Sequence, residues 1–171
     1  GMVVKIRGVV GEYNNKKQIT INRIRLAEDN EYPLEQILPH SSQPIEQRKA
    51  RIMALIDKIE NSYIKSLTES FFGEEKFLND YLTAAAGKLW HHAYIGGLLE
   101  HTLSLAGLAR TVSRYYPFLD PDLLTAVALV HDLGKAWEIS SDLGFDYTDE
   151  GRLLGHIQIG IRVLEKKAAD I

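Results

Sequence analysis

The first part of the chain alternates apolar and polar residues with the period of β-strands. Residues 3–13 and 17–27 are rich in Val, Ile and Thr, which favour strands, and their side chains alternate near period two. Asn14 and Asn15 separate the two segments and tolerate the positive φ of a tight turn, so we predict a β-hairpin over residues 1–28. The glycines within the first strand indicate a bulge or bend.

The pattern then changes to helical spacing. Residues 29–44 form a predicted linker rich in proline, and Pro44 suits a first helical turn with Ser41 or Ser42 as the cap. Apolar residues at helical spacing continue to the end of the chain, so a mainly α domain over 45–171 follows the hairpin. The predicted helices cover residues 45–72, 75–86, 97–116, 121–134 and 152–171.

The fourth predicted helix carries the strongest chemical signal. Asp120 and Pro121 mark its start, its apolar residues predict burial, and Gly134 is predicted to end it. The doublet His131-Asp132 lies at the end of the apolar run. Burying an imidazole and a carboxylate without partners is costly, and a divalent metal accepts both N and O ligands. We therefore predict a metal site at this doublet.

A second helix supplies a histidine at a compatible position. Leu98, His101, Leu105, Leu108 and Val112 share one face of the third predicted helix, so His101 is expected to point toward the core. The alternative is a core histidine bonded to a backbone carbonyl. The His131-Asp132 doublet, 30 residues later, favours the metal interpretation.

Two further residues admit two interpretations each. His156 lies between Gly155 and Gly160, which permit close approach of the last helix, and it is either a metal or phosphate ligand or a partly exposed histidine. Lys135 either pairs with Asp132 and the carbonyls at the helix end or reaches a phosphate oxygen.

Polar residues around the third helix are less informative. His91 and His92 precede it, and one of them is expected to line the same cleft. Glu100 and Asp146 are expected to be surface charges.

Composition narrows the classes of protein. The 171 residues contain no cysteine, so disulfides, thiolate nucleophiles and cysteine-based zinc sites are excluded, and His and carboxylates are the plausible metal ligands. No secretory leader or membrane-length apolar run is present, which fits a cytoplasmic location without membrane contact. Residues 1–27 carry about +5 and the remainder about −8. The basic segment indicates an anionic ligand or a solvated strand face.

Four strings of this sequence together resemble a known family. HHAYIGGLLEHT (91–102), HDLGK (131–135), YTDEG (147–151) and LLGHIQIG (153–160) are similar to the HD superfamily of metal-dependent phosphohydrolases, and most similar to the HD domain of YhaM-type 3′→5′ exoribonucleases. In that family an OB-fold nucleic-acid-binding domain precedes the HD domain. The hairpin resembles the last strands of such an OB-fold.

The resemblance implies a set of roles. His101, His131 and Asp132 would bind a divalent metal, Mn²⁺, Mg²⁺ or Fe, and His156 matches a position that can bind a second metal. Asp132 and Lys135 would act in metal-assisted hydrolysis of a phosphodiester. Substrate contacts are expected at His92, Lys16 and Lys17, with single-stranded nucleic acid or a nucleotide as the partner.

The resemblance also implies a truncated domain. The Asp that completes HD sites, and the early OB-fold strands, would lie outside residues 2–171, so the C-terminal part of the HD domain is expected to be missing. Three functions stay open: a 3′→5′ exonuclease acting on RNA, a non-catalytic nucleotide- or nucleic-acid-binding module with an incomplete metal site, and a helical core with coincidental histidines. An exposed hairpin edge makes a homo-oligomer plausible.

Overall fold

The computed structural model describes residues 2–33, 36–140 and 144–171, and the chain divides into two units at residues 38 and 39. The first unit is a two-stranded antiparallel sheet, and the second is helical. The predicted mainly α class with a preceding hairpin is therefore confirmed. The predicted linker, 29–44, includes residues 34–35, which lie outside the described residues. In the described part of the chain, no helix is both long and apolar enough to cross a membrane.

The hairpin forms where the alternation predicts it. Strand β1 (Val4–Tyr13) pairs with β2 (Lys16–Leu26), and the turn residues Asn14 and Asn15 adopt positive φ angles of 51° and 59°. The register shifts between Arg7 and Gly8, as the glycine predicts. A Cβ at Gly8 would lie 2.4 Å from the Thr20 carbonyl oxygen, so a larger residue would disrupt this bulge.

The helices of the second unit differ in several bounds from the prediction. They are α1 (Ile45–Ile56), α2 (Ser62–Phe72), α3 (Glu75–Thr83), α4 (Gly97–Tyr115), α5 (Pro121–Val130), α6 (Lys135–Glu138) and α7 (Asp149–Ala168).

The single helix predicted for 45–72 is two helices. The Asn61 side chain accepts hydrogen bonds from the backbone N–H groups of Tyr63 and Ile64 and thereby caps α2. The Asp122 carboxylate accepts from the backbone N–H groups of Glu60 and Asn61 at 2.8 and 2.7 Å. These side chains supply acceptors for the backbone N–H groups between α1 and α2, which have none within a helix. The contact from Asp122 is a tertiary one, so helical periodicity does not reveal it.

The helix predicted for 121–134 ends early. Asp120 caps it as predicted, but α5 stops at Val130, and Gly134 has the ordinary helical φ of −61° at the start of α6 instead of ending a helix. A Cβ at Gly134 would lie 2.0 Å from the His156 carbonyl oxygen. Gly134 is therefore required for close packing of this turn against α7.

The last helix is interrupted at a glycine. Thr148 caps α7 at residue 149, and Gly155 then adopts φ 74° and ψ 157° inside the helix. Because Gly155 leaves the helical conformation, a second helical segment begins at His156, and its first backbone N–H needs a partner outside the helix.

Burial along α4 agrees with the predicted face only in part. Leu98 is fully buried as predicted, but Leu108 and Val112 are 63% and 42% exposed, and the His101 side chain is 21% exposed. The helix also buries Leu99, Thr102, Leu103 and Ala106, and Thr102 Oγ1 lies 2.6 Å from the hydroxyl of the fully buried Tyr81.

Candidate metal centre

Asp132 is the centre of a cluster of nitrogen atoms. The residue is 7% exposed, and its Oδ2 lies 3.5 Å from His101 Nε2, 3.2 Å from His131 Nε2 and 2.8 Å from Lys135 Nζ. Its other oxygen, Oδ1, lies 3.5 Å from His156 Nε2. The structure thus brings together all five residues that the sequence analysis assigned to metal binding or catalysis.

Four helical elements position these side chains. His101 comes from α4, the doublet follows the end of α5, Lys135 begins α6, and His156 begins the second segment of α7. The early end of α5 at Val130 lets residues 131–134 turn, so the doublet and Lys135 reach the same oxygen.

The ligand atoms of His101, His131 and Asp132 lie within 4.8 Å of one another, which suits one cation. His131 Nδ1 lies 2.9 Å from the Ala128 carbonyl oxygen, and a carbonyl can only accept, so Nδ1 carries the proton. In neutral His131 the Nε2 lone pair then faces a carboxylate oxygen and the Nε2 of His101, 3.3 Å away. Such lone pairs repel unless a proton or a cation lies among them. The two imidazoles and the carboxylate fit a divalent transition metal.

Electrostatics keeps the central carboxylate charged. Burial alone would raise the pKa of Asp132, but hydrogen bonds from His131 and Lys135 hold that pKa well below its usual range. The hydrogen bond to Asp132 raises the pKa of His131, whereas burial lowers the pKa of His101. A metal would therefore displace a proton held chiefly at His131.

Glu138 is a site residue that the sequence analysis missed. It is 8% exposed, and its Oε1 accepts a hydrogen bond from the backbone N–H of His156 at 2.9 Å. The same oxygen lies 3.0 Å from His156 Nδ1, so the carboxylate holds the proton on Nδ1 and leaves Nε2 with a lone pair on the side of Asp132 Oδ1, 3.5 Å away. The signal in the sequence is a glutamate between the apolar residues Trp137 and Ile139.

His91 and His92 extend the cluster. His91 Nε2 lies 2.9 Å from His101 Nδ1, and one ring nitrogen each of His91, His92 and His101 lies within 4.8 Å of the others. The sequence analysis expected one of the pair to line the cleft. In the structure both lie beside His101.

Glu100 is not the isolated surface charge that we expected. It accepts hydrogen bonds from the Tyr94 hydroxyl and, at 3.0 Å, from Ser41 Oγ. Ser41 therefore does not cap α1, whose start at Pro44 has no side-chain cap. Asp146 does lie at the surface, where it pairs with Lys88 and Arg152.

The remaining predicted substrate residues belong to the other unit. Lys16 and Lys17 are exposed at the start of β2 and pair in register with Tyr13 and Glu12. Both lysines follow the hairpin turn directly and belong to the first unit.

Comparison with known proteins agrees with this site. The family model of the HD domain matches residues 98–171, and this match supports membership of the HD superfamily. HD domains are associated with metal-dependent phosphohydrolases. The matched range contains the metal cluster, that is, the candidate ligands His101, His131 and Asp132, and it also contains Glu138. His91 and His92 precede this range. No solved structure matches the chain.

Proposed function

We propose that this protein is a metal-dependent phosphodiesterase that degrades single-stranded nucleic acid from the 3′ end, in the manner of an exoribonuclease. The observation that carries the proposal is the convergence of His101, His131 and Asp132 on one point within the range that matches the HD domain. These three residues would hold the metal, with Mn²⁺, Mg²⁺ or Fe as the candidates.

A bound divalent cation would neutralise charge on the phosphoryl oxygens and activate a water molecule. Side chains of the protein would stabilise the developing charge and accept the proton of the water. The ammonium of Lys135, now 2.8 Å from Asp132 Oδ2, can shift toward a phosphoryl oxygen and stabilise the charge that develops there. His156 presents Nε2 as an acceptor, because Glu138 holds the proton on Nδ1, so Nε2 can take a proton from the attacking water.

The basic face of the hairpin supports a polyanionic substrate. Directly opposite residues in an antiparallel pair share a face, and here Lys5 faces Arg25 and Arg7 faces Arg23. Such like-charge pairs are unfavourable unless an anion lies beside them. Glu31 pairs with Lys5 and Arg25, but within the part of the chain that the structure describes Arg7 and Arg23 have no carboxylate partner. Nucleic-acid phosphates would supply the missing charge.

The test is hydrolysis of a single-stranded RNA labelled at its 5′ end, with added Mn²⁺. A ladder that shortens from the 3′ end, and its loss in Asp132→Asn with folding retained, is the expected result. Replacing Arg7 and Arg23 by serine should weaken RNA binding and reduce its salt dependence. Cleavage that persists in Asp132→Asn would contradict the proposal.

A non-catalytic binding module is the second candidate. It is favoured by the small number of ligands, since in the described residues only the imidazoles of His101 and His131 form a metal-sized group with Asp132 Oδ2, and the third neighbour of that oxygen is the Lys135 ammonium. Under this function the protein binds Mn²⁺ and a nucleotide, and calorimetry detects both, but no product forms on prolonged incubation.

A further inference from the structure

A chain of hydrogen bonds determines which ring nitrogen of His92 carries the proton. Ser41 donates to Glu100, the Tyr94 hydroxyl donates to the same carboxylate, and His92 Nδ1 lies 2.6 Å from the Tyr94 oxygen. A phenol has one proton. Since Tyr94 gives that proton to Glu100, its oxygen can only accept from the ring, so His92 must carry its proton on Nδ1. Nε2 is then left as a hydrogen-bond acceptor.

The charge of the network agrees with this assignment. Burial and the bond to Glu100 raise the pKa of Tyr94 to about 12, so the phenol keeps its proton. Arg48 lies close enough to Glu100 to interact electrostatically, and it donates to the Gly96 carbonyl at 2.9 Å. The carboxylate is therefore held by a serine, a phenol and a nearby guanidinium.

The backbone around His92 is also held in an uncommon conformation. His92 has φ 52°, which is rare for a residue with a Cβ, and its carbonyl accepts from the backbone N–H groups of Ala86 and Tyr94 at 3.1 and 2.9 Å. A Cβ at Gly97 would lie 2.0 Å from that same carbonyl oxygen. A strained residue that its surroundings hold so closely indicates a functional position.

The His92 ring lies beside the other histidines of the cluster. The His92 ring centroid lies 5.7 Å from that of His101 and 4.4 Å from that of His91. A phosphate diester oxygen has no proton to donate, so a lone pair on Nε2 does not match it. A hydroxyl group does match it, and so does a metal cation.

We propose that His92 Nε2 accepts a hydrogen bond from the ribose 2′-hydroxyl of a nucleotide bound at the metal cluster, so that this site selects ribonucleotides over deoxyribonucleotides. The inference rests on the proposed function, because it assumes that a nucleotide phosphate occupies the metal cluster. A protein tells RNA from DNA by contacts to such hydroxyls. Tyr94 and Glu100 are positioning residues in this scheme, since they act through His92.

The first experiment measures the proton position directly. Nitrogen-15 NMR of the six histidines distinguishes Nδ1–H from Nε2–H tautomers, and His92 is expected to show a protonated Nδ1 and a bare Nε2. Finding the proton on Nε2 would overturn the proposal, whatever the activity of the protein.

The second experiment measures binding without turnover. Adenosine 5′-monophosphate and its 2′-deoxy and 3′-deoxy forms are titrated into the Mn²⁺-loaded protein. Loss of the 2′-hydroxyl should weaken binding about 3- to 10-fold, the range for one hydrogen bond, whereas loss of the 3′-hydroxyl should not. Equal affinity for adenosine 5′-monophosphate and its 2′-deoxy form would overturn the proposal and indicate water or a metal ion as the partner of Nε2.

Variants test the role of the network. In Tyr94→Phe the ratio of ribonucleotide to deoxyribonucleotide affinity should fall toward one, and the His92 tautomers should mix. Tyr63→Phe is the matched control, since Tyr63 is exposed and outside the network. Should Tyr94→Phe fail to fold, Glu100→Gln is used, because an amide can donate to Tyr94 and release its proton toward His92. A ratio that neither variant changes contradicts the proposal.

These measurements separate the two hypotheses. If the protein prefers ribonucleotides but never cleaves RNA, the proposed function fails and the role of His92 stands. If it cleaves RNA and DNA equally well, the role of His92 fails and the hydrolase stands.

Discussion

Replacing Glu138 tests whether the metal centre depends on a carboxylate that holds His156 in place and is not itself a predicted metal ligand. Its Oε1 accepts from both the backbone N–H and the ring Nδ1 of His156, at 2.9 and 3.0 Å. Glu138→Ala removes both bonds and leaves the first N–H after the break at Gly155 without its acceptor. Glu138→Gln retains the size and one neutral acceptor oxygen but removes the charge.

The expected magnitudes follow from these two bonds. A hydrogen bond to a charged group contributes about 1.5–3 kcal/mol, and a neutral one about 1 kcal/mol. The His156 side chain is 29% exposed, so water replaces part of the loss. We therefore expect Glu138→Ala to lower the free energy of unfolding by about 2–4 kcal/mol and Glu138→Gln by about 1–2 kcal/mol. Because Glu138 orients His156, whose Nε2 lies 3.5 Å from Asp132 Oδ1, Mn²⁺ affinity should fall about 10-fold in Glu138→Gln, as when an outer partner of a metal ligand is lost.

Urea unfolding gives the first quantity and titration calorimetry the second. The control is Glu165→Gln, which makes the same chemical change at an exposed position of α7. The reasoning would be refuted if Glu138→Gln and Glu165→Gln had the same stability and the same Mn²⁺ affinity.

Three other predictions follow from the same cluster. Asp132→Asn should weaken Mn²⁺ binding by more than the about 10- to 100-fold typical of outer partners, and calorimetry showing unchanged affinity would exclude Asp132 as a ligand. The hydrogen bond to Asp132 raises the pKa of His131, so the metal-free protein should lose stability as pH rises through that pKa from about 6.5, and His131→Gln should remove this dependence in urea unfolding. Gly134→Ala should destabilise strongly, because its Cβ would lie 2.0 Å from the His156 oxygen, whereas Gly160→Ala, with its nearest contact at 3.6 Å, should be tolerated in thermal unfolding.

Local patterns predicted the elements well where local contacts determine them. Alternation and the Asn14-Asn15 turn gave the hairpin, and Asp120 with Pro121 marked the start of α5. The predicted helix bounds are wrong where a tertiary contact determines the end of a helix. The break between α1 and α2 depends on Asp122, which is some 60 residues away from the N–H groups it accepts from.

The candidate site shows the same division. A histidine on α4 and a polar doublet after an apolar helix were visible in the sequence, because polar residues in apolar surroundings need partners. The role of Glu138 was not visible, because it depends on the interruption of α7 at Gly155. That interruption leaves the backbone N–H of His156 without a helical acceptor, and Glu138 supplies one. Glu100 was assigned to the surface because its partners, Tyr94 and Ser41, come from a loop and from the predicted linker.

Three histidines of this cluster share one arrangement, in which an oxygen atom from a separate partner lies beside Nδ1 of each ring. His131 is held by a carbonyl three residues earlier, His156 by the Glu138 carboxylate and His92 by the Tyr94 hydroxyl, always through Nδ1. In each case the partner keeps the proton on Nδ1 and leaves Nε2 free to accept. A histidine without such a partner exchanges its proton between both nitrogens and presents a lone pair only part of the time. The partners therefore keep the Nε2 lone pairs available for metal and substrate binding. Loss of any one partner should weaken binding even though every ligand atom is still present.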